Sequence, residues 1–400
     1  LSQQWDANLH WFTAAVRLPG LTRTKRPEGL IHRSARRQEL AIEVITRKRS
    51  IPEAAAAYVR SRRPLHGRSE AVTPPAEGEG AIRPRARYVG WTGHHNLGDE
   101  VMVESIRSLL PWADVETTGD PGRLLILGGG TLINRSSYLK KVMGMDSPSV
   151  ERCVVGTGVA SPDYWGVIED PETWVRWLST CVYVGVRGPH SYDRLRSWGF
   201  DGELEVSGDS ALLIEPPAVD KVPGRVVIAP VWTKGRLWGG SDEAVVKVLA
   251  SAVKTWLDEG RDVVALSSSP DDDGQILQIG REAGETLLPF VQGYLDIDRA
   301  VETISSADLV VGERLHACVL AAAVGTAFVP IEYRPKLRDF AASVGVEDLV
   351  IRSDELNEGI LAEHVDAAVA TGTDVVADNV SRYRERLISA AKLIERAVEA

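Results

Sequence analysis

The chain reads as α/β: two doubly wound, parallel-sheet domains facing each other across a cleft. Three observations predict this. From Arg87 onward, short apolar runs alternate with helical segments, which is the pattern of a parallel sheet with crossover helices. Those runs end in glycine or in a charged residue, as strand-to-helix corners do. A proline-rich break at 215–224, with Pro216, Pro217 and Pro223, stops the alternation, which then restarts. A length of 400 residues exceeds one ordinary domain and suits two cores with an appendage.

Taken in order, residues 1–84 form a basic helical extension and linker. Arg37 to Arg49 carries Leu40, Ile42, Val44 and Ile45 among charges, and Pro52 opens a run of strong helix formers. Residues 65–84, with Pro74, Pro75, Gly78 and Gly80, read as the linker. The first α/β domain spans 85–215. Its expected strands are 87–91, 123–127, 152–155, 183–186 and 205–207, and helices follow at 101–110 and from Arg187 through Trp198. The second domain spans 216–375, with strands at 225–230, 262–266, 308–312 and 327–331. A helix is expected from about Asp242 to Glu259 and another from Cys318 to Val324. A closing helix occupies 376–400.

Hydrophobic residues make up 44% of the chain, which excludes a disordered polypeptide, and the longest apolar run is broken by Gly325 and Pro330 before it could span a bilayer. The start lacks a basic segment followed by an apolar core, so no secretory signal is expected there. Cys153, Cys181 and Cys318 form no close pair and read as small core residues of a reducing compartment, the cytoplasm. No Cys/His cluster has metal-ligand spacing, so no metal is expected. Residues 1–87 hold 17 Lys+Arg against 8 Asp+Glu, a net of +9, so the remainder holds 29 against 48, a net of −19. The basic head suits either a solvated extension docked on an acidic body or peripheral contact with an anionic membrane surface. No nucleic-acid motif accompanies it.

The chemistry concentrates at the corners. Gly312-Glu-Arg-Leu-His-Ala-Cys318 joins a buried strand to a packed helix and sets Arg314 and His316 two residues apart. On a helix, positions i and i+2 diverge, so the corner must hold both before the helix becomes regular if they serve one ligand. Arg187 projects from another strand end, and Asp209 occupies an equivalent corner, where it either caps a turn or orients Arg187. In Gly93 to Glu100, glycines let backbone amides approach an anion, and Asp99 is either a general base or a helix cap. Gly128-Gly129-Gly130 is either an anion nest or a tight turn. Asp271-Asp272-Asp273 reads as a solvated helix start rather than a metal site. The loop from Trp232 to Gly240, with Lys234, Arg236 and two tryptophans, suits sugar stacking or a nucleotide diphosphate, or is a mobile surface loop. Together these imply an enzyme acting on an anionic small molecule.

In that order, Asn96-Leu-Gly-Asp-Glu100, Leu127-Gly-Gly-Gly-Thr131, Val186-Arg187 with Ser191, Gly208-Asp209-Ser-Ala-Leu212, Arg314-Leu-His316 and Ile331-Glu-Tyr333 with Lys336 resemble the polysaccharide pyruvyl transferase family over about 87–345. The resemblance implies a GT-B-like pair of Rossmann-type domains. It also implies transfer of the pyruvyl group of phosphoenolpyruvate to two sugar hydroxyls, leaving a cyclic ketal and phosphate, with no cofactor. It carries donor binding onto Arg187, Arg314 and His316, with Lys336 by position and Gly129 and Gly130 through their amides. His316 is then the proton donor or phosphate binder, and Asp99 the base for the acceptor. His95, Asn96 and Trp232 are acceptor-side candidates. The acceptor is a sugar of a glycan or glycolipid, free or lipid-linked. Two other readings remain: a GT-B glycosyltransferase using a nucleotide sugar, and a non-catalytic anion- or glycan-binding module.

Overall fold

A computed structural model describes residues 83–166, 170–237 and 239–400. The basic extension and most of the linker, expected over 1–84, lie outside the described residues. The first half contains β1 (Arg85–Val89), α1 (Leu97–Leu109), β2 (Asp114–Glu116), β3 (Leu124–Leu127), β4 (Gly130–Ile133), α2 (Ser136–Gly144), β5 (Glu151–Val159), α3 (Pro162–Trp165), α4 (Pro171–Leu178), β6 (Tyr183–Val186), α5 (Pro189–Ser197) and β7 (Glu205–Val206). Its strands lie in the order β2-β1-β3-β5-β6-β7, with β4 also on β5, and all pair in parallel.

The second half contains β8 (Val226–Ala229), α6 (Asp242–Asp258), β9 (Val263–Ser267), α7 (Asp273–Glu282), β10 (Phe290–Gln292), α8 (Ile297–Ser305), β11 (Leu309–Gly312), α9 (Leu315–Val324), β12 (Ala327–Glu332), α10 (Lys336–Ser343), β13 (Ile351–Arg352), α11 (Glu358–Thr371) and α12 (Asp374–Glu399). Its sheet runs β10-β9-β8-β11-β12-β13, again all parallel. β3, β8 and β11 are buried along their whole length, so Leu124–Leu127, Val226–Ala229 and Leu309–Gly312 read as unbroken apolar runs.

The two halves share one core. The apolar cluster around α9 takes in Leu97, Met102 and Leu212 of the first half and Val376, Val380 and Tyr383 of α12. α9 can sit there because it is apolar on every side, and its small residues let neighbouring elements approach closely. α12 follows the second sheet yet buries Leu387, Ala391, Ile394 and Val398 against β1 and α1 of the first, alongside Tyr88, Val103 and Ile106. Fully burying an aliphatic side chain contributes about 1.5–3 kcal/mol, so this stripe ties the end of the chain firmly to its beginning.

Strand order reverses between β1 and β3 in one sheet and between β8 and β11 in the other. At such switch points adjacent loops leave in opposite directions and open a crevice at the carboxyl edge. The residues after β1, β3, β8 and β11 are therefore the Asn96, Gly129, Trp232 and Arg314 segments. β2, β4, β10 and β13 were not expected from the sequence.

Candidate functional site

A cavity of about 460 Å³ lies between residues of the two halves. Thr131, Trp165, Arg187 and Arg194 line it from the first half, and Arg334, Lys336 and Arg338 from the second. Arg338 is neutralised by Glu332 at 3.1 Å, and Arg334 Nε donates to Tyr164 Oη at 2.7 Å. The wall is cationic overall and suits an anion carrying several oxygens.

Arg187 is fully buried at 1% exposure where β6 ends. Its Nη2 donates to Thr131 Oγ1 at 3.0 Å, and Nη1 lies 3.7 Å from Asp209 Oδ2, while Nε and Nη1 make no hydrogen bond. Leaving buried guanidinium nitrogens unpaired is costly, so they are poised for an incoming acceptor group. Asp209 does both of the things its corner allowed. Oδ1 accepts from the Ala211 amide at 3.0 Å, and Oδ2 faces Arg187 and also His316 Nε2, at 3.6 Å. Burial works against the Asp209 charge, but His316, Arg187 and the Ala211 amide more than offset it and hold its carboxyl below the ordinary range.

His316 and Arg314 share a corner but not a direction. Arg314 is the N-cap of α9 with extended backbone, whereas His316 lies inside the first turn. His316 turns toward the first half, and a Cβ built on Gly98 would lie 1.6 Å from its Nδ1. Burial depresses the imidazole pKa, and Lys336 and Arg187 add to this against the opposing pull of Asp209. Arg314 turns instead to Asp272, with Nε to Oδ2 at 2.8 Å and Nη2 to Oδ1 at 2.6 Å. That bidentate pair braces the guanidinium and, with Tyr333, raises its pKa despite burial.

The acidic triplet 271–273 is therefore not the solvated helix start that the sequence suggested. Asp272 is completely buried and holds Arg314. Asp273 accepts from Ser267, Gln292 and Tyr294, and only Asp271 is left to pair at the surface, with Lys234 at 3.0 Å. Three adjacent acids read alike in sequence; the tertiary partner across the corner separates them. Asp272 also accepts from the Trp232 amide at 3.2 Å, which places exposed Trp232 beside the braced arginine.

Asp99 is not the helix cap. Asn96 caps α1, its Oδ1 accepting from the Gly98 amide at 3.2 Å, so the side-chain oxygen of that acceptor-side candidate is already engaged. Asp99 lies one turn in, 8% exposed, and burial raises its pKa to about 7 although Lys336 and Arg314 pull the other way. Lys336, half-buried, is lowered by burial and by Arg334, Arg314 and Arg187. Beside it, Tyr333 is 1% exposed. Burial would raise the phenol, but Lys336, Arg334 and Arg314 bring it below its ordinary value. His95 is exposed with φ +50°, and the stacking in its loop is between Trp91 and His94, at 3.9 Å.

The glycine corners make room for side chains. The Gly129 amide donates to Tyr88 Oη at 2.9 Å, and a Cβ there would meet Met102 Sδ at 1.9 Å. Gly130 opens β4 opposite Thr157. The Gly129 amide is already given to Tyr88, so at Gly129 the corner serves packing rather than the anion nest that was one of its two readings. Gly98 is needed for close approach too. Gly98→Ala should leave a folded protein, since alanine is the better helix former, yet lower turnover by on the order of 10²-fold through displacement of His316. Thermal melting alongside turnover checks this; unchanged turnover would mean the imidazole position is unimportant.

Sequence reasoning missed the roles of Asp272, Tyr333, Arg334, Trp165 and Asp339. Among the described residues, no group of three or more His, Cys, Asp or Glu side chains is arranged to hold a metal ion. No helix among them is long and apolar enough to cross a membrane.

Among solved structures, the chain resembles a UDP co-structure of MnaA from S. aureus, with 10% identity over 75% of this chain and 94% of that one and a TM-score of 0.50. It also matches UDP-GlcNAc 2-epimerase from Methanocaldococcus jannaschii (10% identity, 71% and 92% covered, TM-score 0.43) and E. coli ADP-heptose lps heptosyltransferase II (11%, 72% and 99%, 0.33). At 10% identity the likeness to MnaA concerns the fold alone, a GT-B-like pair of parallel-sheet α/β halves. No curated protein matches. The family profile described as Polysaccharide pyruvyl transferase matches residues 96–335, from the Asn96 cap through the Arg187, Asp209 and Arg314–His316 corners to the start of α10, and the chain belongs to that family.

Proposed function

We propose that this enzyme transfers the pyruvyl group of phosphoenolpyruvate to two hydroxyls of a sugar in a glycan or glycolipid, forming a cyclic ketal and releasing phosphate. Family membership supports pyruvyl transfer to a polysaccharide. The observation that carries the donor is Arg187, fully buried in the wall of a cationic cavity with Nε and Nη1 making no hydrogen bond. Phosphoenolpyruvate offers a carboxylate and a phosphate for such groups, and Lys336 and braced Arg314 supply further positive charge.

In the proposed reaction, one sugar hydroxyl adds through oxygen to C2 of the donor while C3 gains a proton and becomes a methyl group. The second hydroxyl then adds to C2 as the C2–O bond to phosphate breaks. Both hydroxyl protons are released: one balances the proton gained at C3, and the other leaves on the phosphate as hydrogen phosphate. Near neutrality a carboxyl with a pKa of about 7 retains much of its proton, whereas an imidazole with a depressed pKa is neutral. This exchanges the roles expected from sequence: Asp99 is the proposed donor to C3 and His316 the base for the sugar hydroxyl.

A pH profile tests that assignment. kcat/KM should fall below the depressed pKa of His316, where the base is protonated, and again above about pH 7, where Asp99 loses its proton. Asp99→Asn should remove the alkaline limb; a limb that stays puts the acid elsewhere. The reaction itself is tested by incubating the protein with phosphoenolpyruvate and a panel of free and lipid-linked glycosides. Phosphate release should match, mole for mole, a product heavier by a single pyruvyl ketal group. Nucleotide release from a nucleotide sugar would instead identify a glycosyltransferase, and binding without turnover a carbohydrate-binding module.

A further inference from the structure

α5 begins directly after Arg187 and Gly188, and Gly188 at the N-cap has no side chain to cap it. The first amides of a helix need acceptors when they are buried. Here the acceptor comes from the other half. Asp339 of α10 takes the His190 amide at 3.0 Å and the Ser191 amide at 3.3 Å on Oδ1, and the Ser191 hydroxyl at 2.6 Å on Oδ2. Ser191 Oγ in turn accepts from the Val159 amide of β5 at 3.0 Å. Asp339 and Ser191 are 5% and 3% exposed, so the carboxylate is a buried charge whose compensation is this set of donors and the positive end of α5. A Cβ on Gly188 would lie 2.2 Å from Asp339, so only glycine lets α10 come this close.

We propose that Asp339 is a positioning residue: it caps α5 across the cleft and thereby holds Arg187 and Lys336 in register with one another. Both are in the wall of the same cavity, Arg187 one residue before the capped corner and Lys336 one turn before Asp339 on α10. A single carboxylate therefore fixes the separation of two cations supplied by different halves. Separating the halves breaks the cap and moves the two cations apart. The consequence for donor binding rests on the pyruvyl-transfer reading; the cap itself does not.

The test combines amide hydrogen exchange with steady-state kinetics on the full chain. In Asp339→Ala the amides of His190 and Ser191 should lose protection, and the KM for phosphoenolpyruvate should rise about 5- to 10-fold, the factor that loss of a helix cap corresponds to, while kcat changes less. Asp339→Asn keeps an oxygen for both amides and should restore most of the protection and of the KM. Unchanged protection in Asp339→Ala, lost protection with an unchanged KM, or identical behaviour of the Ala and Asn variants would overturn the proposal. Should Asp339→Ala not fold, Ser191→Ala removes the hydroxyl, with its contacts to Asp339 and to the Val159 amide, and leaves both amide bonds to Asp339; a smaller KM rise supports the proposal and a wild-type KM refutes it. If the wild-type protein releases no phosphate from phosphoenolpyruvate with any glycoside, the pyruvyl-transfer reading fails, while the exchange measurements still decide the cap.

Discussion

Removing Arg187 and removing His316 are each expected to lower kcat/KM for phosphoenolpyruvate by on the order of 10²-fold or more, but through different constants. Arg187→Ala deletes the buried guanidinium whose Nε and Nη1 make no hydrogen bond, so the loss should fall mainly on KM. It also removes a cation that helps to depress the His316 pKa, so the acid limb of the pH profile should move to higher pH. A second cost is structural. Asp209 loses the guanidinium facing its Oδ2, and breaking a buried ion pair typically costs about 3–5 kcal/mol, so the melting temperature should drop as well. His316→Ala leaves the donor cations in place and removes the base, so kcat should carry the loss while the donor KM changes little. Phosphate release that survives both changes undiminished would place the reaction elsewhere. Arg187→Lys is not a mild control, because an ammonium cannot reach both Thr131 and the donor in one plane.

Asp99→Asn is expected to move activity and stability in opposite directions. Turnover should fall by about 10²-fold with loss of the proton donor. Stability should rise at alkaline pH, and the sign follows from linkage. The folded pKa of about 7 lies above the ordinary value of 3.8, so the folded state holds the proton more tightly than the unfolded chain. Stability therefore falls as pH rises from about 4 to 7, and above that range the wild type carries a buried carboxylate at a cost on the order of 2–4 kcal/mol. Asparagine never ionises. Its advantage in melting temperature should be small at pH 5 and largest at pH 8, as followed by calorimetry. A gain that does not depend on pH would show that Asp99 ionises normally in the folded state.

Parts of this site were legible in the sequence because they follow from local pattern. The buried strands, the corners and the apolar helix after Arg314 are set by residue type and period, and Arg187, Asp209, Arg314 and His316 stand at strand ends that an alternating β/α pattern places on one edge. Partner choice was not legible. Asp272 and Asp271 are neighbours of identical chemistry, and only the fold decides that one is buried on Arg314 while the other meets Lys234 at the surface. The triple glycine at 128–130 looked like an anion nest because the sequence does not reveal that Tyr88 claims the Gly129 amide. Asp339, 148 residues from Ser191, has no local signature as a helix cap at all.

By itself, the sequence determined a GT-B architecture and the family, because periodicity and the order of short motifs survive without knowledge of contacts. The tertiary structure alone decided which way each polar group faces: His316 toward Gly98 and Asp209, Arg314 toward Asp272, Asp99 into a buried position with a raised pKa. The physical reason is that burial and the nearest opposite charge set both the direction of a side chain and its protonation, and both are properties of neighbours distant in the chain.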